Sequence, residues 1–241
     1  MTPRCSLIIP AYNEERLLPR LLDSIEVARN AYGNRDLIEV IVADNMSTDS
    51  TALIATVRKC RVVTVEKRVI AAARNGGAAV ARGEIVAFID ADSQVHPQTF
   101  AEIDRVLDDD RFIGGATGVR LDRMSAGIAL TFATFLPLVW ITGMDAGVVF
   151  CRKADFDAIG GYDETRAIAE DVAFLWALRR LGKTRGQRLA RATRAKAIAS
   201  TRKFDEFGDW HYFPLMIEGV RHLRRRGRSE FTDRYWYKPR R

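Results

Sequence analysis

Four short apolar runs, at residues 5–10, 37–44, 61–65 and 85–90, punctuate the first 90 residues, and helical patterns at 14–31, 50–59 and 69–81 fill the gaps between them. This alternation is the rhythm of β-α-β units, which close into parallel sheets. Within each run the apolar residues are continuous instead of alternating with polar ones, as expected of strands covered by helices on both faces. The pattern therefore predicts an α/β fold with a mostly parallel central sheet. Asn13 and Asp49 stand where N-caps of the first two helices are expected, each offering a side-chain oxygen ahead of a helical pattern. Further strands are predicted at 113–120 and 147–151, and an amphipathic helix at 172–181.

Composition sets the class and says little more. A chain of 241 residues with 47% hydrophobic and 29% charged residues is ordinary for a folded globular domain. Three cysteines, Cys5, Cys60 and Cys151, are too few for a disulfide framework and lack zinc-ligand spacing, so a reducing cytoplasmic setting is expected. The apolar run that ends at Pro10 is too brief for a signal peptide, so the mature chain is expected to start near Met1.

Charge is unevenly placed. Residues 179–241 hold 19 Lys plus Arg against 6 Asp plus Glu, an excess of 13, so a net +7 leaves −6 for residues 1–178. The basic end, with Arg224, Arg225, Arg226 and Arg228, suits anionic lipid headgroups or a phosphorylated substrate as well as plain solvent. Nucleic acid is not expected, because no aromatic-interleaved motif accompanies the charge. Residues 124–144 carry no charge, close to the ~20 residues that span a bilayer. Gly127, Thr131, Thr134, Pro137 and Thr142 interrupt that run, and strands predicted on either side of it belong to one sheet. A buried or acceptor-lining helix, or an in-plane membrane contact, is expected there in place of a span.

In open parallel sheets ligands collect at the carboxyl ends of the strands. Three strand exits here carry polar side chains suited to one nucleotide. The run from Ile85 ends in Asp90 and Asp92, separated by one residue. One or two carboxylates plus phosphate oxygens hold Mg2+ or Mn2+, which neutralises the charge of a departing diphosphate. Asp-x-Asp alone is as often a solvated loop, and it is the strand exit that gives it weight. Pro10, Tyr12, Asn13 and Glu14 follow the first strand, where Tyr12 can lay its ring on a base or serve only as an exposed helix-start residue. Asp44 ends the second strand, where it can accept a hydrogen bond from a base N–H or merely form a turn. Arg74, in a helix weakened by Gly76 and Gly77, can meet a diphosphate or ribose, or remain a surface arginine.

Taken in order, these residues resemble family 2 glycosyltransferases of the GT-A fold: Pro10-Ala-Tyr12-Asn13-Glu14, Asp44-Asn45-Met-Ser47-Thr48-Asp49, Ala73-Arg74-Asn75-Gly76-Gly77 and Asp90-Ala-Asp92. The likeness continues through Gly160-Gly161-Tyr162-Asp163-Glu164 and Glu170-Asp171 and covers roughly residues 5–183. It implies a Rossmann-like GT-A domain over 1–200, with a nucleotide-binding half at about 1–120 and an acceptor half at about 121–200. A basic extension over 201–241, helical and packed on the same domain, completes the expectation. The resemblance gives Asp44 the base, Asp90 the ribose and Asp92 the metal. It makes Asp171 the general base of an inverting displacement and Glu170 a residue that positions the acceptor. The bland alternative for this acid pair is stabilisation of the helix dipole. Thr201-Arg202-Lys203-Phe204 and Gly208-Asp209-Trp210-His211 are similar to a segment that closes over the diphosphate in relatives, with His211 as a further metal ligand. Asn45 stands where a second acid is usual.

The implied partners are a nucleoside-diphosphate sugar and an acceptor hydroxyl, lipid-linked or phosphorylated acceptors included, with a peripheral contact at the cytoplasmic membrane face. No Gln-x-x-Arg-Trp motif of processive synthases is present, so transfer of single sugars is expected. A nucleotidyltransferase would need a glycine-rich, lysine-bearing loop after the first strand, which the sequence lacks. A non-catalytic binding relative would have no use for Asp92 and Asp171 together. A dinucleotide oxidoreductase would need G-x-G-x-x-G where Pro10 to Glu15 stand.

Overall fold

The continuous apolar runs become the centre of a single mixed sheet. The structure, a computed structural model, describes residues 2–131, 133–134, 147–166 and 169–210. Along the chain lie β1 (Cys5–Ala11), α1 (Leu18–Tyr32), β2 (Ile38–Asp44), α2 (Thr51–Val57), β3 (Arg61–Thr64), α3 (Ile70–Ala79), β4 (Ile85–Phe88) and α4 (Thr99–Leu107). There follow β5 (Phe112–Leu121), β6 (Val149–Arg152), α5 (Lys153–Ala158), α6 (Glu170–Thr184), β7 (Arg188–Ala199) and α7 (Arg202–Phe207). Strand order is β3-β2-β1-β4-β6-β5-β7. All pairings are parallel except that β6 runs antiparallel to both β4 and β5.

Every residue of β1, β2 and β4 is buried, because helices cover both faces of the sheet. On one face Leu7, Ile9 and Val42 pack with Leu18, Leu21 and Ile25 of α1 and with Phe100 and Ile103 of α4. On the other, Ile8, Ile41 and Phe88 pack with Ala71 and Ala78 of α3, Phe156 of α5 and Phe174 and Leu178 of α6. At ~25 cal/mol per Å2 of apolar surface removed from water, these two layers supply the main drive for folding.

The β1-α1 connection departs from the sequence expectation. Helix α1 begins at Leu18, four residues later than the pattern suggests, with Pro19 in its first turn, where a missing N–H costs nothing. Asn13 is not its cap: Leu17 holds that position and makes no side-chain cap bond. Asn13 instead adopts φ 55°, a left-handed conformation that Asn tolerates. Its Oδ1 accepts the Thr48 N–H at 2.8 Å and its own N–H reaches Ser47 Oγ at 3.0 Å, which locks the loops after β1 and β2 together. Asp49 does serve α2, but from outside the cap position, which Ser50 holds: its Oδ1 accepts the Thr51 N–H at 2.9 Å.

Pro10 does not stop β1, which runs on through Ala11 paired with Asp44. Pairing between β1 and β4 ends at Ile8 and Phe88, and the alternating ladder turns Pro10 to that vacated side, so no sheet hydrogen bond is lost.

Of the charge-free run, residues 126–131 are helical, with Ile128 and Thr131 buried, and most of the remainder lies outside the described residues. Among the described residues no helix is long and apolar enough to cross a membrane. Of the basic extension, α7 and the turn to Trp210 are described; residues 211–241 lie outside.

Candidate active site

Strands β2, β1 and β4 are neighbours and parallel, so their exits open on one edge of the sheet. Asp44 closes β2, Tyr12 to Glu14 follow β1, and Asp90 and Asp92 follow β4. Strand β6 runs the other way and ends beside Ile85, where the Lys153 N–H reaches the Glu84 carbonyl, and the chain after α5 returns so that α6 opens at the exit edge beside Arg74. An aromatic cluster fixes the approach: Tyr162 stacks on Phe174 of α6 at 4.3 Å between centroids, and Phe88, the last residue of β4, meets Tyr162 edge-on at 5.1 Å. Asp90 and the Glu170-Asp171 pair are thereby carried by elements that share one apolar clamp.

Arg74 reaches into the centre of this arrangement from α3. Its side chain is 4% exposed, with Nη2 2.9 Å from Asp90 Oδ1 and Nη1 2.8 Å from both Glu170 Oε1 and Asp171 Oδ1. Its guanidinium lies 5.0 Å over the Tyr162 ring. Burial would disfavour its charge, but Asp171, Tyr162, Asp90 and Glu170 together hold its pKa far above the usual arginine range. From the sequence Arg74 is expected to meet a diphosphate or ribose; in the structure it is the shared counter-ion of three carboxylates.

The Asp171 side chain is 31% exposed, yet its Oδ1 is fully buried and has no hydrogen-bond partner. Arg74 Nη1 donates to Glu170, and the buried Tyr162 hydroxyl also lacks a bond of ordinary geometry. One oxygen is thus sealed in the Arg74 pocket while the side chain as a whole stays partly exposed. Burial pushes the Asp171 carboxyl up to about 7; Arg74 opposes the rise, and Glu170 and Asp90 add to it. Both acids open α6, where the helix dipole favours negative charge by ~0.3–1 kcal/mol each. Ala169, the residue before them, is held at φ 59°, a conformation that costs a non-glycine residue energy and recurs at functional sites.

Asp44 is 6% exposed; its Oδ2 accepts the Ser47 N–H at 3.3 Å and its buried Oδ1 has no partner. An orphaned buried acceptor is costly in an isolated protein and suits a donor brought by a ligand. Asn45 turns the other way: Nδ2 donates to the carbonyls of Val65 and Lys67 at 2.7 and 2.8 Å, pinning the loop that leads to α3. A carboxylate cannot make either bond, which explains the departure from the usual second acid.

Two expected donor contacts are otherwise engaged. Arg68 lies 4.6 Å over the Tyr12 ring and bonds its hydroxyl, so one face of that ring is covered. Glu14 is gripped by both Nη atoms of Arg202 at 2.6 and 2.8 Å, and Arg202 Nη2 also lies 3.0 Å from Asp92 Oδ2. Neither Arg68 nor Arg202 is among the site residues the sequence points to. Arg202 belongs to a segment that resembles the one closing over the diphosphate, whereas nothing in the local sequence marks Arg68.

A divalent cation can be tested against these residues. Among the described residues no cluster of three or more His, Cys, Asp or Glu forms a complete cage. Asp90 and Asp92 offer carboxylate oxygens on one short loop, the hard donors that Mg2+ or Mn2+ combine with water and substrate phosphates. The Arg202 guanidinium beside Asp92 shows that this spot attracts positive charge. The donor set fits such an ion; His211, expected to add a ligand, lies outside the described residues.

Parallel strands with acids at their exits, helices on both faces and an antiparallel β6 define the GT-A class of α/β fold. The family model for glycosyl transferase family 2 matches residues 6–127, just over half of the chain, and the chain belongs to that family. EpsH of Bacillus subtilis strain 168 is 32% identical over 114 residues, covering 45% of this chain and 32% of EpsH. The poly(ribitol-phosphate) beta-glucosyltransferase of Bacillus spizizenii is 33% identical over 99 residues, 38% of this chain and 15% of that one. The chain thus spans a third or less of the length of these two relatives. Among solved structures, the mannosyltransferase PcManGT of Pyrobaculum calidifontis, in complex with GDP-Man and Mn2+, superposes with a TM-score of 0.70 at 21% identity, over 97% of this chain and 67% of that one. Glucosyl-3-phosphoglycerate synthase of Mycobacterium tuberculosis, in complex with Mn2+, UDP and glucosyl-3-phosphoglycerate, gives 0.62 at 20% identity, over 86% and 75%.

Proposed function

We propose that this chain transfers one sugar at a time from a nucleoside-diphosphate sugar to an acceptor hydroxyl, with inversion and with help from a divalent cation. The observation that carries the reading is Arg74, which ties the ribose-side acid Asp90 to the acid pair Glu170-Asp171 through one buried guanidinium. Donor and acceptor chemistry then share one electrostatic centre.

In this mechanism Asp44 accepts an N–H from the base with its orphaned Oδ1, Asp90 meets the ribose, and Tyr12 with Arg68 walls the base. Asp92, with Asp90 near it, would hold Mg2+ or Mn2+, which supplies charge neutralisation for the diphosphate when bound. The acceptor oxygen attacks the anomeric carbon from the face opposite the diphosphate. Its proton passes to Asp171, the new C–O bond forms, and the bond to the diphosphate breaks with its electron pair leaving on the diphosphate. Glu170, held by Arg74, positions the acceptor. A carboxylate poised near pH 7 is matched to this task, since a base works best with a pKa close to the working pH. Lipid-linked and phosphorylated hydroxyls belong among the acceptors because of the basic C-terminal sequence. That PcManGT and the mycobacterial synthase were solved with nucleotide ligands and Mn2+ accords with this donor class.

The test is direct. Purified protein is incubated with UDP, GDP and dTDP sugars, Mn2+ and a panel of acceptors that includes lipid phosphates, and release of nucleoside diphosphate is followed. Thermal shift with each nucleoside diphosphate, with and without Mn2+, identifies the base, because ligand binding stabilises by mass action. Release from none of the donors, together with no shift, overturns the reading.

A further inference from the structure

We infer that the surface formed by residues 124–130 and 207–210 docks in the plane of an anionic lipid bilayer. Met124, Leu130, Phe207 and Trp210 are 62%, 48%, 52% and 58% exposed, four large apolar side chains on two adjoining segments. The segments touch: Arg123 lies 2.7 Å from carboxylate oxygens of both Asp205 and Asp209, and Gly127 is so close to the Asp209 backbone that a Cβ there would meet its carbonyl oxygen at 2.9 Å. The exposed apolar residues therefore form one patch, and patches of this kind mark interaction surfaces.

The polarity of the helical stretch 126–131 is the second argument. Ile128 and Thr131 face the protein, while Ala126, Ala129 and Leu130 face outward without one charge. Helix α1 shows the ordinary alternative, with Arg20 and Asp23 on its exposed side. An outward face that is apolar, where no helix among the described residues is long and apolar enough to cross a membrane, is the pattern of an interfacial contact.

Charge selects the bilayer over a second copy of the chain. The sequence that continues directly from Trp210, residues 211–241, holds 9 Lys plus Arg against 3 Asp plus Glu. Like charges on two copies would repel across a dimer contact, whereas an anionic leaflet attracts them. The patch also adjoins the site, because α7 presents Phe207 at one end and, at the other, Arg202 on Glu14 and Asp92. Membrane docking there would bring a lipid-linked hydroxyl to the Asp171 cleft; only this last point rests on the transferase reading.

The test is flotation of the purified full chain with vesicles of phosphatidylcholine alone and of phosphatidylcholine with phosphatidylglycerol. The chain should float with the anionic vesicles, less so in high salt, and Leu130→Glu with Phe207→Glu should weaken partitioning about tenfold or more. A second variant, Met124→Glu, should act in the same direction, with circular dichroism confirming the fold of each. Absence of flotation, or flotation that neither variant changes, overturns the proposal. So does a dimer by analytical ultracentrifugation that the variants dissociate while vesicle binding stays the same. Nucleoside diphosphate binding, measured separately in solution, should survive both variants. Its absence in the unmodified chain would refute the transferase reading and leave the surface standing.

Discussion

Arg74 Nη1 lies 2.8 Å from both Asp171 and Glu170 but gives its hydrogen bond to Glu170 alone. Arg74 therefore stabilises the Asp171 charge without giving it a hydrogen bond from Nη1, so more of that carboxylate's basicity survives beside the cation than a direct charge-assisted bond would leave.

Asp171→Asn should leave nucleoside diphosphate affinity within about twofold of the unmodified chain and lower kcat by ~10^2–10^4, the usual contribution of a general base. Isothermal titration and single-turnover rates separate the two. Equal loss of binding and turnover would deny Asp171 its role.

With the Asp171 carboxyl pushed up to about 7, log kcat should fall with unit slope as pH drops below that point and level off above it. Stability moves in the opposite sense. A carboxyl whose folded pKa exceeds its unfolded one stabilises the fold while protonated, and that gain is lost as pH rises through about 7. Asp171→Asn should accordingly raise unfolding free energy by ~1–3 kcal/mol at pH 8.5 and by nearly nothing at pH 4, read from urea melts at the two pH values.

Arg74→Met leaves Asp90, Glu170 and Asp171 without their common cation. Breaking a buried ion pair in this way costs ~3–5 kcal/mol near neutral pH. The kcat profile should also shift to higher pH, because the largest influence that lowers the Asp171 pKa is gone. A stability loss without a displaced profile would make Arg74 purely structural.

Asp92→Ala should abolish the Mn2+-dependent part of nucleotide binding and spare the metal-independent part. In Arg202→Met the guanidinium no longer competes for Asp92, and Mn2+ affinity of the free protein, followed by electron paramagnetic resonance, should rise severalfold. Weaker Mn2+ binding would show that Arg202 supports the ion site instead of standing in for it.

Asn45→Asp restores the residue type usual in the family and should nevertheless be harmful. Two hydrogen bonds to the carbonyls of Val65 and Lys67 become oxygen-oxygen contacts, at a cost of ~2–4 kcal/mol. Thermal melting reports the loss directly.

By itself the sequence determined the central sheet, since continuous apolar runs have no stable place except between two layers of helices. It also determined that Asp44, Asp90 and Asp92 would sit at strand exits, because an acid that ends such a run must emerge at the edge of the sheet. These are local relations, set by period and spacing. Only the tertiary structure decided what each charge faces. Arg74 meets Glu170 across 96 positions and Arg202 meets Glu14 across 188, and no local pattern encodes which acid a long, flexible guanidinium will reach once both are withdrawn from water. For the same reason Asn13 became a brace between loops instead of a helix cap, and Glu14 a partner of Arg202: the cost of leaving a buried polar group unpaired is settled only when the chain is folded.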